Sequence, residues 1–448
     1  MIIEVAGEAL PARRFNASQR SMKTTSPRFE VPILLGTQTL FNIGFYAVVP
    51  FLAVVLTNDF LLASTAVGLI LGIRTFAQQG LFLAGGTLAD RFGARTMILI
   101  GCAVRAAGFL TLAASLWSTT PVLWLFIVGT LLTGFGGALF SPGLNILVAS
   151  AQTARERGEH QQVRRATLFA WLSITGEIGA VTGPLVGSAL WGWGFPTVAG
   201  FGAIFFVAIG IFLAFTLPRP KPSSTLQPTE QSDTPRTKAR GSLRQCLSDR
   251  GFITFCALHA SDLLAYNQLY LAIPLELERQ GLATQWLGLV FAWISIMTLC
   301  LQLPISWLAA RLGPAKTLRL GYIFSACGFG VLAFVPTAVF GDGSFPARVL
   351  CAVTLMTLGH MSVHPTALSL VPKFAAGHAT GSYFGLLSTC GGIAVLLGNI
   401  LFGWLLSGSQ TAALPSFTPW LVLIIPLLLA SWFGSRVVYL RLLRSQQA

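Results

Sequence analysis

Long apolar runs and short polar breaks alternate along the whole chain. Polar residues are scarce within the runs, and most runs are apolar on every face. That is the pattern of helices surrounded by lipid and by other apolar helices. A helix needs about 20 apolar residues to cross the hydrocarbon core of a bilayer. Twelve runs reach that length, at 31–57, 66–88, 96–117, 121–150, 166–190, 196–217, 251–278, 284–308, 316–338, 345–371, 380–406 and 418–440. The breaks between them are short, with one exception. Residues 218–250 are rich in Pro, Ser, Thr and charge and read as a flexible linker. The pattern predicts an all-α membrane protein with twelve transmembrane helices. Its expected parts are an N-terminal tail (1–30), a six-helix bundle (31–217), the linker (218–250), a second six-helix bundle (251–440) and a C-terminal tail (441–448).

Composition agrees. Of the 448 residues, 54% are hydrophobic and 10% charged, against about 25% charged in soluble domains. A net charge of +14 could suggest a nucleic-acid partner. The basic residues lie between apolar runs rather than on one solvated face, so none is expected. They set the orientation instead. Most of the 29 Lys and Arg fall in the N-terminal tail, the even-to-odd connections, the linker or the C-terminal tail, with Arg279 as the clear exception. Both termini are therefore expected in the cytoplasm. The seven cysteines fall in no predicted extracellular loop and show no metal-ligand spacing, so no disulfide framework is implied. Residues 1–30 hold no apolar run of signal-peptide length and read as a cytoplasmic tail, with Met22 as an alternative start.

The halves repeat. Asp90-Arg91-Phe92-Gly93 has a counterpart 220 residues later, in Ala310-Arg311-Leu312-Gly313. Gly136, Gly137 and Pro142 recur at the same spacing as Gly359, His360 and Pro365. The repeat predicts two pseudo-symmetric bundles and disfavours a single twelve-helix channel.

Two motifs stand out. The second and third runs are joined through GGTLADRFGAR, residues 85–95. Gly86 and Gly93 permit close backbone approach and a tight reversal, while Asp90, Arg91 and Arg95 put charge at the membrane surface. In the fifth run, Gly179, Gly183 and Gly187 recur every four residues and line one helix face, against which a neighbour can pack closely. Pro184 beside them can bend the helix. The first motif resembles the loop-2/3 signature of the major facilitator superfamily, lacking only its second closing basic residue. The other resembles the helix-5 motif of that superfamily's antiporters. Residues 66–110, including Leu71 to Gly80 and Arg105 to Phe109, are similar in particular to the MdtH-type multidrug exporters. The resemblance implies two parallel six-helix halves working by alternating access. It assigns Gly86, Asp90, Arg91, Gly93, Arg95 and Arg105 to conformational switching, with Asp90 meeting the N-terminus of the eleventh span around 379–382. Two features depart from the family's proton-coupled drug exporters. Thr130 stands where many carry an Arg, four residues before Gly134-Phe135-Gly136, and the first span offers Gln38 and Asn42 in place of an acidic residue.

Ionisable residues inside a bilayer are costly and default to functional candidates. Here they are Arg74, Arg105, Glu177, His259, Asp262, His360 and His364. Glu177 is the first candidate for proton coupling; a fixed ion pair with Arg74 or Arg105 is the alternative. Asp262 is the second, and His360 the third because imidazole titrates near neutral pH. His259, Asp262 and Tyr266 share one helix face, predicted to look into a cavity. His360 and His364 lie one turn apart, a spacing that could bind a transition metal. With no carboxylate or Cys near them in sequence, they read as cavity lining, and no metal site is expected. Gln38, Asn42 and Tyr46 share one face of the first run. The expected substrate cavity, with few fixed polar groups, is lined by Gln38, Asn42, Tyr46, Arg74, His259, Tyr266, Trp293 and His364. Glu276 and Glu278 are expected to be solvated.

No Walker loop, nucleophile elbow or HExxH sequence occurs, so neither an enzyme nor an ATP-driven pump is expected. The expectation is a monomeric secondary exporter of small amphipathic molecules in a bacterial inner membrane. Proton antiport would drive it, with no cofactor. A dedicated siderophore or metabolite exporter of the same fold is the alternative. A nutrient symporter fits the antiporter-like motif less well, and a non-transporting sensor would not need so many buried ionisable groups.

Overall fold

The structure, a computed structural model, describes residues 30–62, 64–117, 120–158, 167–217, 243–269, 272–279, 285–340, 346–376, 380–410, 415 and 417–447. No strand occurs among them. In order, the helices are α1 (Glu30–Tyr46), α2 (Leu52–Asn58), α3 (Ser64–Gln79), α4 (Phe82–Phe92), α5 (Ala94–Ser115), α6 (Leu123–Gly158), α7 (Leu168–Trp191), α8 (Phe195–Thr216) and a short α9 (243–248). The second half holds α10 (Arg250–Asn267), α11 (Ala272–Arg279), α12 (Gln285–Leu312), α13 (Pro314–Phe334), α14 (Ala347–Ala375), α15 (Gly381–Gln410), α16 (Thr418–Leu429) and α17 (Ser435–Gln447). Met22, the N-terminal tail before Glu30 and residues 218–242 of the linker lie outside the described residues.

Among the described residues, 9 helices are long and apolar enough to cross a membrane. The other three predicted spans fall short for visible reasons. The second breaks at Gly80 and Leu81 into α3 and α4, and the seventh breaks after Asn267 into α10 and α11. The tenth is the unbroken α14, which carries Arg348, His360, His364 and Lys373. A break frees backbone groups that lipid cannot satisfy. At the α3–α4 break, Thr389 of α15 satisfies them. Its hydroxyl donates to the Gly80 carbonyl at 3.2 Å and accepts from the Leu83 N–H at 3.0 Å.

Packing repeats between the halves as the sequence does. Helix α5 lies on α6 and α8, and its counterpart α13 lies on α14 and α16. Helix α1 packs on α7, as α10 packs on α15. The halves meet through α4 against α15 and α7 against α12. The loop predicted at 85–95 is a correction: Gly86 to Phe92 complete α4, and the reversal falls at Gly93 alone. Gly93 has φ +89° and its repeat Gly313 φ +81°, conformations that L side chains rarely adopt. Gly86 has a different use. A Cβ there would collide with the Gly381 carbonyl, so its hydrogen lets α4 and α15 touch backbone to backbone.

The glycine face of α7 packs on α1. A Cβ on Gly183 would lie 2.8 Å from the Ile43 carbonyl oxygen and 2.7 Å from Tyr46 Cβ, and one on Gly187 would strike the Ala47 carbonyl. Gly183→Val is therefore expected to lower the thermal midpoint of the detergent-purified protein, by the about 1–3 kcal/mol typical of overpacking. An unchanged midpoint would contradict the seam.

Candidate substrate cavity

A cavity of about 300 Å³ lies between the halves. Helices α1, α4, α6 and α7 form one wall, and α10, α12, α14 and α15 the other. Of the residues predicted from sequence, Gln38, Asn42, Tyr46, Glu177, Tyr266, His360 and His364 line it. Asn145, Thr298, Gln302 and Thr357 join them. The expectation of few fixed polar groups is thus overturned. These four sit singly in apolar runs, where helical spacing alone does not say which face looks inward.

Glu177 is half-buried on α7. Its carboxylate accepts a 2.6 Å hydrogen bond from the Ser295 hydroxyl on α12. It therefore bridges the two halves at the cavity wall and makes no ion pair with Arg74 or Arg105. Asn42 fixes the adjoining wall by donating to the Gly176 carbonyl at 2.9 Å. Ser295 was missed by sequence reading, because a serine in an apolar run carries no signal until its partner is known.

The opposite wall holds an aromatic and acidic cluster. Tyr266, His360 and His364 stack in series, with ring centroids 3.9 Å and 4.9 Å apart. Behind them lies Asp262, 2% exposed, with Oδ2 at 3.1 Å from His360 Nδ1 and 4.0 Å from His364 Nδ1. Asp262 reaches the cavity only through the histidines. The absence of a carboxylate near His360 and His364 is a sequence reading that the fold corrects, since α10 brings Asp262 to them. A metal ion could be held here by His259, Asp262 and His364, whose ligand atoms lie within 4.8 Å of one another.

Three predicted lining residues are not in the wall. His259 is buried behind the wall, with a ring nitrogen 2.8 Å from the Tyr322 hydroxyl of α13. The expected polar stripe therefore splits, and only Tyr266 of the three lines the cavity. Trp293 is 40% exposed, and its indole donates to Thr354 Oγ1 at 2.9 Å. Arg74 lies over the Phe45 ring, 5.3 Å from its centroid. Glu276, expected to be solvated, is buried and pairs with Arg348 at 3.4 Å. The side chain of Glu278 lies outside the described residues.

At the end of the molecule bearing Gly93, Asp90 crosses to the other half. Its carboxylate accepts from the backbone N–H of Gly381, the N–H of Ser382 and the Ser382 hydroxyl, each at 2.7 Å. The free N–H groups and the dipole of a helix start favour an anion there.

The sequence pattern of the Major Facilitator Superfamily matches residues 34–399. The chain belongs to the Major Facilitator Superfamily. Members of this superfamily are transporters rather than enzymes, and this chain is accordingly a multi-pass membrane protein of the transporter class. An uncharacterised MFS-type transporter of Mycobacterium tuberculosis is 31% identical over 386 residues, covering 84% of this chain and 86% of its own. Multidrug resistance protein MdtH of Salmonella arizonae is 31% identical over 394 residues, covering 87% and 89%. Two solved structures show the fold. FucP in its outward conformation matches with a TM-score of 0.64 at 14% identity, over 93% of this chain and 99% of its own. A bacterial homologue of the iron transporter ferroportin, in an outward-facing state, matches with 0.63 at 18%, over 92% and 98%.

Arg105 was grouped with the switching motif, yet it lies 11 residues into α5, about 16 Å from the helix start, far from Asp90. It is fully buried, donates from Nε to the Thr133 carbonyl at 3.1 Å, and sits 4.2 Å over Phe41 and 4.5 Å over Phe45. It thereby brings a guanidinium to the α5–α6 interface at Thr133, one helical turn from Thr130. Arg95 instead donates to the Ala214 carbonyl at the end of α8, a favourable place for a cation. Arg91 is exposed, over the ring of its neighbour Phe92.

Proposed function

We propose that this protein is a secondary active exporter of small molecules, driven by proton antiport through alternating access, in a bacterial inner membrane. The observation that carries the reading is the Glu177–Ser295 bond. A carboxyl at the cavity wall joins α7 to α12 across the halves, so gain or loss of its proton changes the charge of the cavity at the place where the halves meet. Likeness to MdtH proteins supports multidrug efflux, and the glycine seam of α7 supports an antiporter. The orientation has both termini in the cytoplasm, a monomer suffices, and the division into 31–217 and 251–440 supplies the two moving halves.

The polar lining favours one alternative, a dedicated exporter of a single polar metabolite or siderophore. Asn145, Gln302, His360 and His364 would hold fixed polar groups of such a ligand better than those of varied amphipaths.

In everted vesicles, uptake of a transported dye is expected to raise lumenal pH, read with a trapped pH probe. Uptake that survives collapse of both the pH gradient and the voltage would overturn proton antiport. Competition by a panel of unrelated amphipaths would separate multidrug from dedicated export.

A further inference from the structure

We propose that the cluster on α10 and α14 is a binding site for a divalent transition-metal ion of the zinc class, with Asp262, His259 and His364 as ligands. Exporter function is not needed for this inference, and its test does not use transport.

Two imidazoles and one carboxylate are a donor set suited to zinc and its first-row neighbours. The three ligand atoms lie within 4.8 Å of one another. Ligands at about 2.1 Å from a tetrahedral ion are about 3.4 Å apart, so binding requires a contraction of little over an ångström. Side-chain rotation supplies that, because His364 is the most exposed member, at 38% of its side chain.

The surroundings resemble those of metal ligands more than those of free side chains. Metal-binding residues are commonly oriented by a second hydrogen bond. His259 has one, as its Nδ1 lies 2.8 Å from the Tyr322 hydroxyl. When Nδ1–H donates to that oxygen, Nε2 is left with its lone pair free for a metal. Asp262 has another, from His360 at 3.1 Å, and His360 is itself clamped between Tyr266 and His364. Asp262 and His259 are nearly buried, while His360 and His364 line the cavity. An ion can therefore arrive through the cavity at His364 and keep a coordination position open to it. A proton shared by Asp262 and His360 would explain that pair alone. It would not explain why a second and third imidazole converge on the same carboxylate.

The test is Co²⁺ titration of tag-free, full-length protein in detergent or nanodiscs, followed by visible absorption. One equivalent with the intense bands of four- or five-coordinate Co²⁺ is expected, displaced by Zn²⁺, and Zn²⁺ is expected to raise the thermal midpoint. Asp262→Asn and His364→Ala are expected to abolish the bands, and Tyr322→Phe to weaken affinity about 10-fold. Cys300→Ser, Cys327→Ser, His160→Ala and His378→Ala are expected to leave binding unchanged. Where a ligand variant is poorly folded, His364→Gln, at the exposed position, decides with the same readout. Absence of Co²⁺ bands and of a Zn²⁺ shift in the unaltered protein would overturn the site. So would stoichiometric binding that persists in Asp262→Asn and His364→Ala, or that disappears with the Cys300, Cys327, His160 or His378 replacements.

Discussion

Asp90→Asn is expected to cut transport sharply while substrate affinity stays within a few-fold. Both carboxylate oxygens are engaged at the N-terminus of α15, accepting three hydrogen bonds from Gly381 and Ser382. The site is remote from the cavity lining, so the change acts on the closed state of this end and not on substrate. An asparagine keeps one acceptor, loses the charge, and turns an NH₂ group toward N–H donors. Partly buried helix-terminus interactions are worth about 1–2 kcal/mol, enough to shift a balanced two-state population roughly 5- to 30-fold. The other half lacks this carboxylate. Ala310 stands in place of Asp90, and the facing start of α7 is met by the neutral Ser306 hydroxyl, which accepts from Thr167 N–H at 3.3 Å. Ala310 has no side-chain acceptor with which to make the contact that Asp90 makes. Cysteines placed in the cavity are expected to become more accessible from this end in Asp90→Asn. Full transport in the mutant, or lost affinity with an unchanged accessibility pattern, would exclude this role for Asp90.

Glu177→Gln is expected to reduce proton-coupled efflux to background while the protein still inserts and still binds substrate. Glutamine has nearly the same shape, and its carbonyl can accept from Ser295, so the α7–α12 contact survives. What it lacks is the proton. Measuring substrate affinity in detergent beside gradient-driven uptake in everted vesicles separates the two effects. Undiminished active efflux in Glu177→Gln would remove this residue from coupling. The burden would then pass to Asp262 and His360, joined at 3.1 Å on the opposite wall.

The hydrophobic runs alone determined the fold class and most helix ends, because a membrane span is set by length and apolarity. The basic connections gave an expected orientation, and the 220-residue repeat foretold that α5 on α6 would be mirrored by α13 on α14. The glycine spacing of α7 announced a packing face, though not that α1 fills it. Tertiary structure decided the rest. The break in the second span was invisible because its loose backbone groups are satisfied by Thr389, about 300 residues away in sequence. His259, Arg74 and Arg105 were candidates for the cavity or the switch, yet they point into their own bundles. In a helix that is apolar all round, periodicity does not distinguish the face toward a cavity from the face toward a neighbouring helix. Asp262 joins His360 from another helix, and Ser295 meets Glu177 from the other half. Polar chemistry inside a membrane is made by pairs of residues, and such pairs form only when separate helices are brought together.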